Sequence, residues 1–363
     1  MSITENKILI PKTLDEVMTS SNLWFTLTNR CNLTCQYCFN YCKQKIADMS
    51  PDLAIEILDY YLAYQKKLKL QHPYLHLIFF GGEPTLNPQT IRAVVNYVNQ
   101  NRIDCLLRLI TNGMIDDDFL EWLIAERVYL QISFDGFVNN LRVGHCGNYA
   151  ERILKTINRL KANTAFPYSL HATIHAGNVE NMAQIVEFAA EHRASNVAFC
   201  PVCLEGNALS HGVKRPTIAQ YVDNYFKALA TAKKCNIGFY SVELMMQRQE
   251  ILQKKLPLIW LPDGSLALCD KYLSSSQAGA DAAIIGKYST HTKTFTLYEE
   301  VLTKISNNFF NKRKECCASC TNYKNCQGLS SFVAYSLQHN SNDKFMCETR
   351  RKIVEKLNQT TID

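Results

Sequence analysis

The sequence predicts an α/β fold, a partial (βα)6 barrel of the TIM type followed by a small cysteine-rich C-terminal domain. Three observations carry this. From Leu23 short apolar runs alternate with longer segments of 3.6-residue period, as in repeated βα units. The alternation stops after about Leu256, and the cysteines crowd toward the two ends of the chain. The expected strands are Leu23–Leu27 (LWFTL), Tyr74–Phe80, Cys105–Thr111, Tyr129–Phe134, Tyr168–Ile174 and Asn196–Cys200. Between and after them, helices are expected at Pro51–Gln65, Asn87–Asn99, Asp116–Ala125, Tyr149–Lys161, Val179–His192 and Ile218–Lys234, the first with Ser50 as N-cap and Pro51 at the position that suits proline. Right-handed crossovers between six such units curl the sheet into an incomplete barrel. Pro262-Asp263-Gly264 reads as a hairpin turn. The expected division is an N-terminal segment 1–22, the barrel 23–250 and a C-terminal domain 251–363.

Composition excludes several classes. Of 363 residues, 47% are hydrophobic and 20% charged, the range of ordinary globular chains rather than disordered ones. No apolar run approaches the roughly 18 residues of a membrane span, so no membrane association is expected. The start, MSITENKILIPKTLDEV, lacks a basic segment followed by an apolar one, so a cytoplasmic location without a signal peptide is expected. The net charge of +6 is concentrated in residues 301–363, with 10 Lys/Arg against 5 Asp/Glu. That weakly basic tail is no nucleic-acid footprint by itself.

Fifteen cysteines in a reducing compartment are better explained by metal ligation than by disulfides. Cys31-x3-Cys35-x2-Cys38 directly follows the first expected strand. Three thiolates on one loop hold three corners of a cubane iron-sulfur cluster and leave the fourth iron open, a substrate position by the logic that separates catalytic from structural zinc. Zinc is the alternative at this point, with Cys42 as the local fourth ligand.

The loop, with the aromatic Phe39 after its third cysteine, resembles that of the radical S-adenosylmethionine (SAM) enzymes. Other features agree in order. Gly81-Gly82-Glu83-Pro84 ends the second strand and looks like the family's GGEP motif, which engages the amino group of the methionine moiety. Thr111 and Asn112 close the third strand, and Ser133 and Asp135 close the fourth, where the family contacts ribose and carboxylate. Arg142 stands where many members pair an arginine with that carboxylate. All lie at strand C-terminal ends, the face where barrel enzymes build active sites; plain turn chemistry is the bland alternative for each alone. The resemblance implies a [4Fe-4S] cluster chelated by SAM, reductive cleavage of the sulfonium and hydrogen abstraction by a 5′-deoxyadenosyl radical, with a low-potential electron donor such as flavodoxin or ferredoxin.

Cys317-x2-Cys320-x5-Cys326, followed by Cys347, resembles the SPASM extension, in which these positions hold an auxiliary [4Fe-4S] cluster. The second auxiliary cluster of the full form lacks ligands, since 248–254 contain no cysteine and Ser330 stands at the last position. One auxiliary cluster is expected, with four-thiolate zinc as the alternative. Asp270, after Cys269, is a candidate base by resemblance to sulfatase-maturing members. Cys200 and Cys203, at the end of the sixth strand, are candidate hydrogen-atom donors, their alternative being small buried hydrophobes. Cys105 and Cys146 read as packing. The resemblance implies a ribosomal peptide substrate that is crosslinked, epimerised or oxidised. A small-metabolite dehydrogenase or rearrangement enzyme and a degenerate electron-transfer protein are the alternatives. About 22 residues before the first strand are too few for the leader-binding domain that many peptide maturases carry.

Overall fold

The computed structural model describes residues 11–39, 46–70, 75–138, 140–144, 149–163, 166–248, 257–317, 320–322 and 344–360. Its strands in chain order are β1 Asn22–Thr28, β2 Leu75–Gly81, β3 Cys105–Thr111, β4 Tyr129–Ser133, β5 Tyr168–Ile174, β6 Asn196–Pro201, β7 Gly238–Tyr240, β8 Leu258–Trp260, β9 Ser265–Ala267, β10 Ile284–Ser289 and β11 Thr294–Leu297. The helices are α1 Leu14–Met18, α2 Pro51–Lys67, α3 Pro88–Gln100, α4 Asp117–Ala125, α5 Tyr149–Ala162, α6 Met182–Glu191, α7 Asn207–Ser210, α8 Ile218–Lys234, α9 Val242–Gln247, α10 Glu299–Cys317 and α11 Lys344–Thr360. The chain forms two compact units, the first made of 1–30, 42–107 and 251–342, the second of 31–41, 108–250 and 343–363. Strand β3 thus gives its start to one and its end to the other.

In the first unit the strand order is β11-β10-β9-β8-β1-β2. β1 is parallel to β2 and to β8, whereas β8, β9, β10 and β11 follow one another antiparallel. The expected hairpin joins β8 to β9. Gly264 takes the left-handed conformation at φ +82°, and Asp263 Oδ1 accepts from Ser265 N at 3.1 Å. Each helix buries one stripe. Ser50 Oγ caps α2 through Leu53 N at 3.2 Å, and α2 buries Leu53, Ala54, Ile57, Leu58 and Tyr61. α3 buries Thr90, Ile91, Val94, Val95 and Val98 at the same spacing. Asn87, in the core, donates from Nδ2 to Leu27 O and Met49 O, both at 2.9 Å, so two buried carbonyls are satisfied by one side chain.

The second unit carries five parallel strands, β3-β4-β5-β6-β7. α8 runs over the expected span and opens with a capping box between Thr217 and Gln220. The C-terminal helix α11 packs against α8 and α9. Its Arg350 Nε donates to Glu243 Oε1 at 3.1 Å, and Gln247 Nε2 donates to Leu357 O at 3.2 Å. Two expectations need correction. The parallel series does not end at six strands: a three-residue β7 pairs with β6, and β8 returns beside β1, which leaves neither β6 nor β1 with a bare edge. The helix expected at Val179–His192 begins as a 3-10 turn, Val179–Asn181, while Asn178 binds backward, from Nδ2 to Thr173 O and through Oδ1 to His175 N.

Candidate active site

In the second unit the cysteine loop is built as an extended strand without a sheet of its own. Leu33 pairs antiparallel with Gly144, Thr34 N donates to Val143 O at 2.7 Å, and Gln36 N donates to Leu141 O at 2.9 Å. Cys38 N turns back onto Cys35 O at 3.1 Å. The far side is held by α7. Asn207 N donates to Cys38 O at 2.9 Å, and Asn207 Nδ2 donates to Cys35 O at 3.2 Å. Gly206, before α7, has φ +53°, and a Cβ there would stand 2.7 Å from Cys38 O and 3.0 Å from the Phe39 Cα. Only glycine brings the helix this close.

Two donors address the first thiol. Leu33 N lies 3.4 Å and Asn112 Nδ2 3.9 Å from Cys31 Sγ. Asn112 is itself oriented by Met114 N, which donates to its Oδ1 at 2.9 Å. Such donors favour a thiolate and tune the potential of a cluster bound to it. Cys35 is buried, and burial pushes its thiol up to about 11 in the absence of a bound cation. Among the described residues no three His, Cys, Asp or Glu side chains meet at the position of a single ion. Three thiols on one loop fit three corners of a cubane cluster, which takes its thiolates at separate irons.

Beside the loop stands a buried charged pair. Asp135, fully enclosed, receives Arg142 Nε on Oδ2 at 2.8 Å and Arg142 Nη2 on Oδ1 at 3.1 Å. Thr173 N donates to Oδ1 at 2.8 Å and the Tyr37 hydroxyl to Oδ2. The Arg142 guanidinium lies 5.5 Å from the Tyr37 ring centre. Burial holds the Tyr37 phenol protonated well above its usual range. Arg142, expected to face a ligand carboxylate, thus gives two of its donors to Asp135.

The rest of this cluster was not read from the sequence. His175, one residue past β5 and 4% exposed, has its ring centre 6.5 Å from that of Tyr37 and accepts from Gly177 N on Nδ1 at 3.0 Å. Its Nε2 is buried with no hydrogen-bond partner among the described residues. The Gly206-Asn207 pair carries a recognisable signal, a glycine before a short helix; Tyr37 and His175 carry none. Thr111 is buried and accepts from Gly113 N at 3.1 Å on Oγ1, and Ser133 O accepts from the Tyr149 hydroxyl at 3.2 Å.

In the first unit the Gly81–Pro84 motif closes β2 against the end of β1. Gly81 has φ +146°, and a Cβ on it would stand 2.3 Å from Thr28 O; on Gly82, 2.2 Å from Arg30 O. Gly82 N donates to Thr28 O at 2.9 Å and Glu83 N to Arg30 O at 2.7 Å. Arg30, the residue before Cys31 in sequence, is clamped through Nη2 to Asp48 Oδ2 at 2.7 Å and to Leu86 O at 2.9 Å. Glu83 is fully buried and accepts from Thr85 Oγ1 at 2.8 Å, and Pro84 begins the 3-10 turn that follows. Both glycines are therefore required by close backbone approach.

Of the other candidates, Cys200 is exposed at the end of β6 and Cys203 half-buried three residues on, both in the second unit. Asp270, partly exposed, follows the buried Cys269 in the first. Cys320 is half-buried and Cys347, on α11, exposed; Cys317 ends α10. Cys326 lies outside the described residues, as do Cys42, Cys146 and Ser330.

Residues 25–191 match the family model of the Radical SAM superfamily. The radical SAM cyclopropyl synthase TigE of Paramaledivibacter caminithermalis is 27% identical over 187 residues, 47% of this chain and 39% of that protein. The PqqA peptide cyclase of Granulibacter bethesdensis is 28% identical over 169 residues, 45% of this chain and 42% of its own. The chain thus spans less than half the length of these two relatives. The structure of native anSMEcpe with bound AdoMet and Cp18Cys peptide superposes with a TM-score of 0.68 at 16% identity, over 94% of this chain and 97% of that one. This similarity establishes the α/β fold of the partial-barrel type.

Proposed function

We propose that this radical SAM domain serves a peptide-modifying enzyme, with Cys31, Cys35 and Cys38 holding the [4Fe-4S] cluster. When bound, cluster and SAM together supply one-electron cleavage of the sulfonium and a hydrogen-abstracting nucleoside radical. The observation that carries the reading is the cysteine loop itself: three thiols on a strand laced to 141–144 and pinned by Asn207, with amide donors at Cys31. In the first unit Gly81 and Gly82 hold the Arg30 backbone, and buried Glu83 is the proposed carboxylate for the methionine amino group. Asn112 orients the first thiolate. Phe39, Thr111, Ser133, Asp135 and Arg142 complete the SAM-binding set, with Arg142 kept in place by Asp135. A relative whose name denotes a peptide cyclase, and a fold neighbour bound to a peptide, support a peptide as substrate.

Exposed Cys200 and its neighbour Cys203 are the proposed hydrogen-atom donors, and Asp270 the proposed base. The spacing of Cys317, Cys320, Cys326 and Cys347 supports one auxiliary [4Fe-4S] cluster, and a flavodoxin- or ferredoxin-type donor would reduce the enzyme. Anaerobic reconstitution with dithionite and SAM tests this. Wild type is expected to release 5′-deoxyadenosine and to hold about eight iron atoms. The Cys31→Ala/Cys35→Ala/Cys38→Ala variant is expected to release none and to hold about four. Peptides encoded beside the gene, incubated in deuterated buffer, are expected to change mass. Cofactor cleavage by the triple variant refutes the cluster assignment; unchanged peptides beside a consumed metabolite refute the peptide reading.

A further inference from the structure

We propose that His175 positions the cofactor by donating its Nε2–H to an uncharged acceptor on the nucleoside half of SAM, an inference that rests on the radical SAM reading of this site. The hydrogen-bond arrangement defines the proton's place. Nδ1 accepts from the backbone N–H of Gly177 at 3.0 Å, so in the neutral ring the single proton sits on Nε2. The ring is 4% exposed, and burial holds its pKa below the ordinary histidine value against the opposing pull of Asp135. A buried N–H without an acceptor is costly, and native structures rarely keep one.

The nearest carboxylate does not serve it. Asp135 already accepts from Arg142 twice, from Thr173 N and from the Tyr37 hydroxyl, which accounts for the roughly four lone-pair positions of a carboxylate. Among the described residues Nε2 thus has no acceptor, and one brought by a bound ligand would complete it. SAM offers few kinds. Its sulfonium accepts nothing, and its amino group has no lone pair to spare once it ligates iron. Its carboxylate is the part that Arg142 is proposed to face. Ribose oxygens and adenine ring nitrogens remain. The position agrees: His175 follows β5, two strands along the sheet from Asn112 at the end of β3, the residue that addresses Cys31.

Two substitutions separate the ring's two hydrogen bonds. In His175→Asn the side-chain oxygen stands two bonds from Cβ, like Nδ1, and keeps an acceptor for Gly177 N while removing the outer donor. In His175→Gln the amide nitrogen stands three bonds from Cβ, like Nε2, and restores that donor. Dissociation constants for SAM, 5′-deoxyadenosine and methionine are measured on anaerobically reconstituted holoenzyme, with thermal unfolding of the ligand-free form alongside. His175→Asn is expected to weaken SAM and 5′-deoxyadenosine roughly three- to tenfold, to leave methionine unchanged and to lose no thermal stability. His175→Gln is expected to recover most of the affinity. Unaltered 5′-deoxyadenosine binding by His175→Asn overturns the proposal, as does a loss confined to methionine or to the peptide. Equal weakening of every ligand together with lost stability overturns it in favour of a structural role. A wild-type holoenzyme that binds no SAM refutes the radical SAM reading itself, a result the variants are not needed to see.

Discussion

Replacing Arg142 by methionine leaves the Asp135 carboxylate charged, enclosed and short of its counter-ion. With the two charge centres about 4 Å apart, the attraction at an effective dielectric of about 20 is about 4 kcal/mol. Thr173 N and the Tyr37 hydroxyl remain as donors to Asp135, so the site is not stripped. Breaking a buried pair on one side costs about 3–5 kcal/mol, because an uncompensated charge stays behind. The cost falls on a defined place. Leu141 O and Val143 O, flanking Arg142, accept from Gln36 N and Thr34 N, the amides that hold the cysteine loop extended. Hydrogen exchange at those two amides reads local opening directly. Arg142→Met, and separately Asp135→Asn, are expected to speed it by about two to three orders of magnitude. The double variant buries neither charge and is expected to cost about 2 kcal/mol less than the sum of the two. Single variants that speed exchange less than tenfold, or costs that simply add, refute the reasoning.

Gly206→Ala places a Cβ 2.7 Å from Cys38 O at φ +53°; the loop must give way, and reconstituted protein is expected to lose iron from the N-terminal cluster on gel filtration while retaining iron elsewhere. His171 is lowered to about 4 by burial and by the Arg108 charge. Its folded pKa lies below its unfolded value, so stability is full above about pH 6.5 and declines as pH falls toward 4, by about 3 kcal/mol; urea unfolding across that window is expected to show the slope in wild type and a shallower one in His171→Gln. Thr217→Ala removes the capping box of α8 and is expected to cost about 1 kcal/mol by the same measurement, with SAM binding unchanged.

The sequence by itself determined what local chemistry writes. α8 starts and ends where its cap and period put it, β3 and β5 span their apolar runs, and Pro262-Asp263-Gly264 turns β8 into β9. The Cys31-x3-Cys35-x2-Cys38 loop and the Gly81–Pro84 motif stood at strand ends, and the structure shows why two glycines are needed there: the end of β1 lies against them. Tertiary structure decided the remainder. β7, β8, β10 and β11 have three to six residues each, too short for a period to be read, and their pairing depends on which edges stand bare. The partners of the cysteine loop lie at 141–144 and 206–207, more than a hundred residues on, with no motif of their own. Arg142 reads in sequence as a cation for a ligand, yet Asp135 holds it on two atoms. His175 reads as any histidine after a strand; only the count of acceptors around it shows that, among the described residues, one buried nitrogen has no partner.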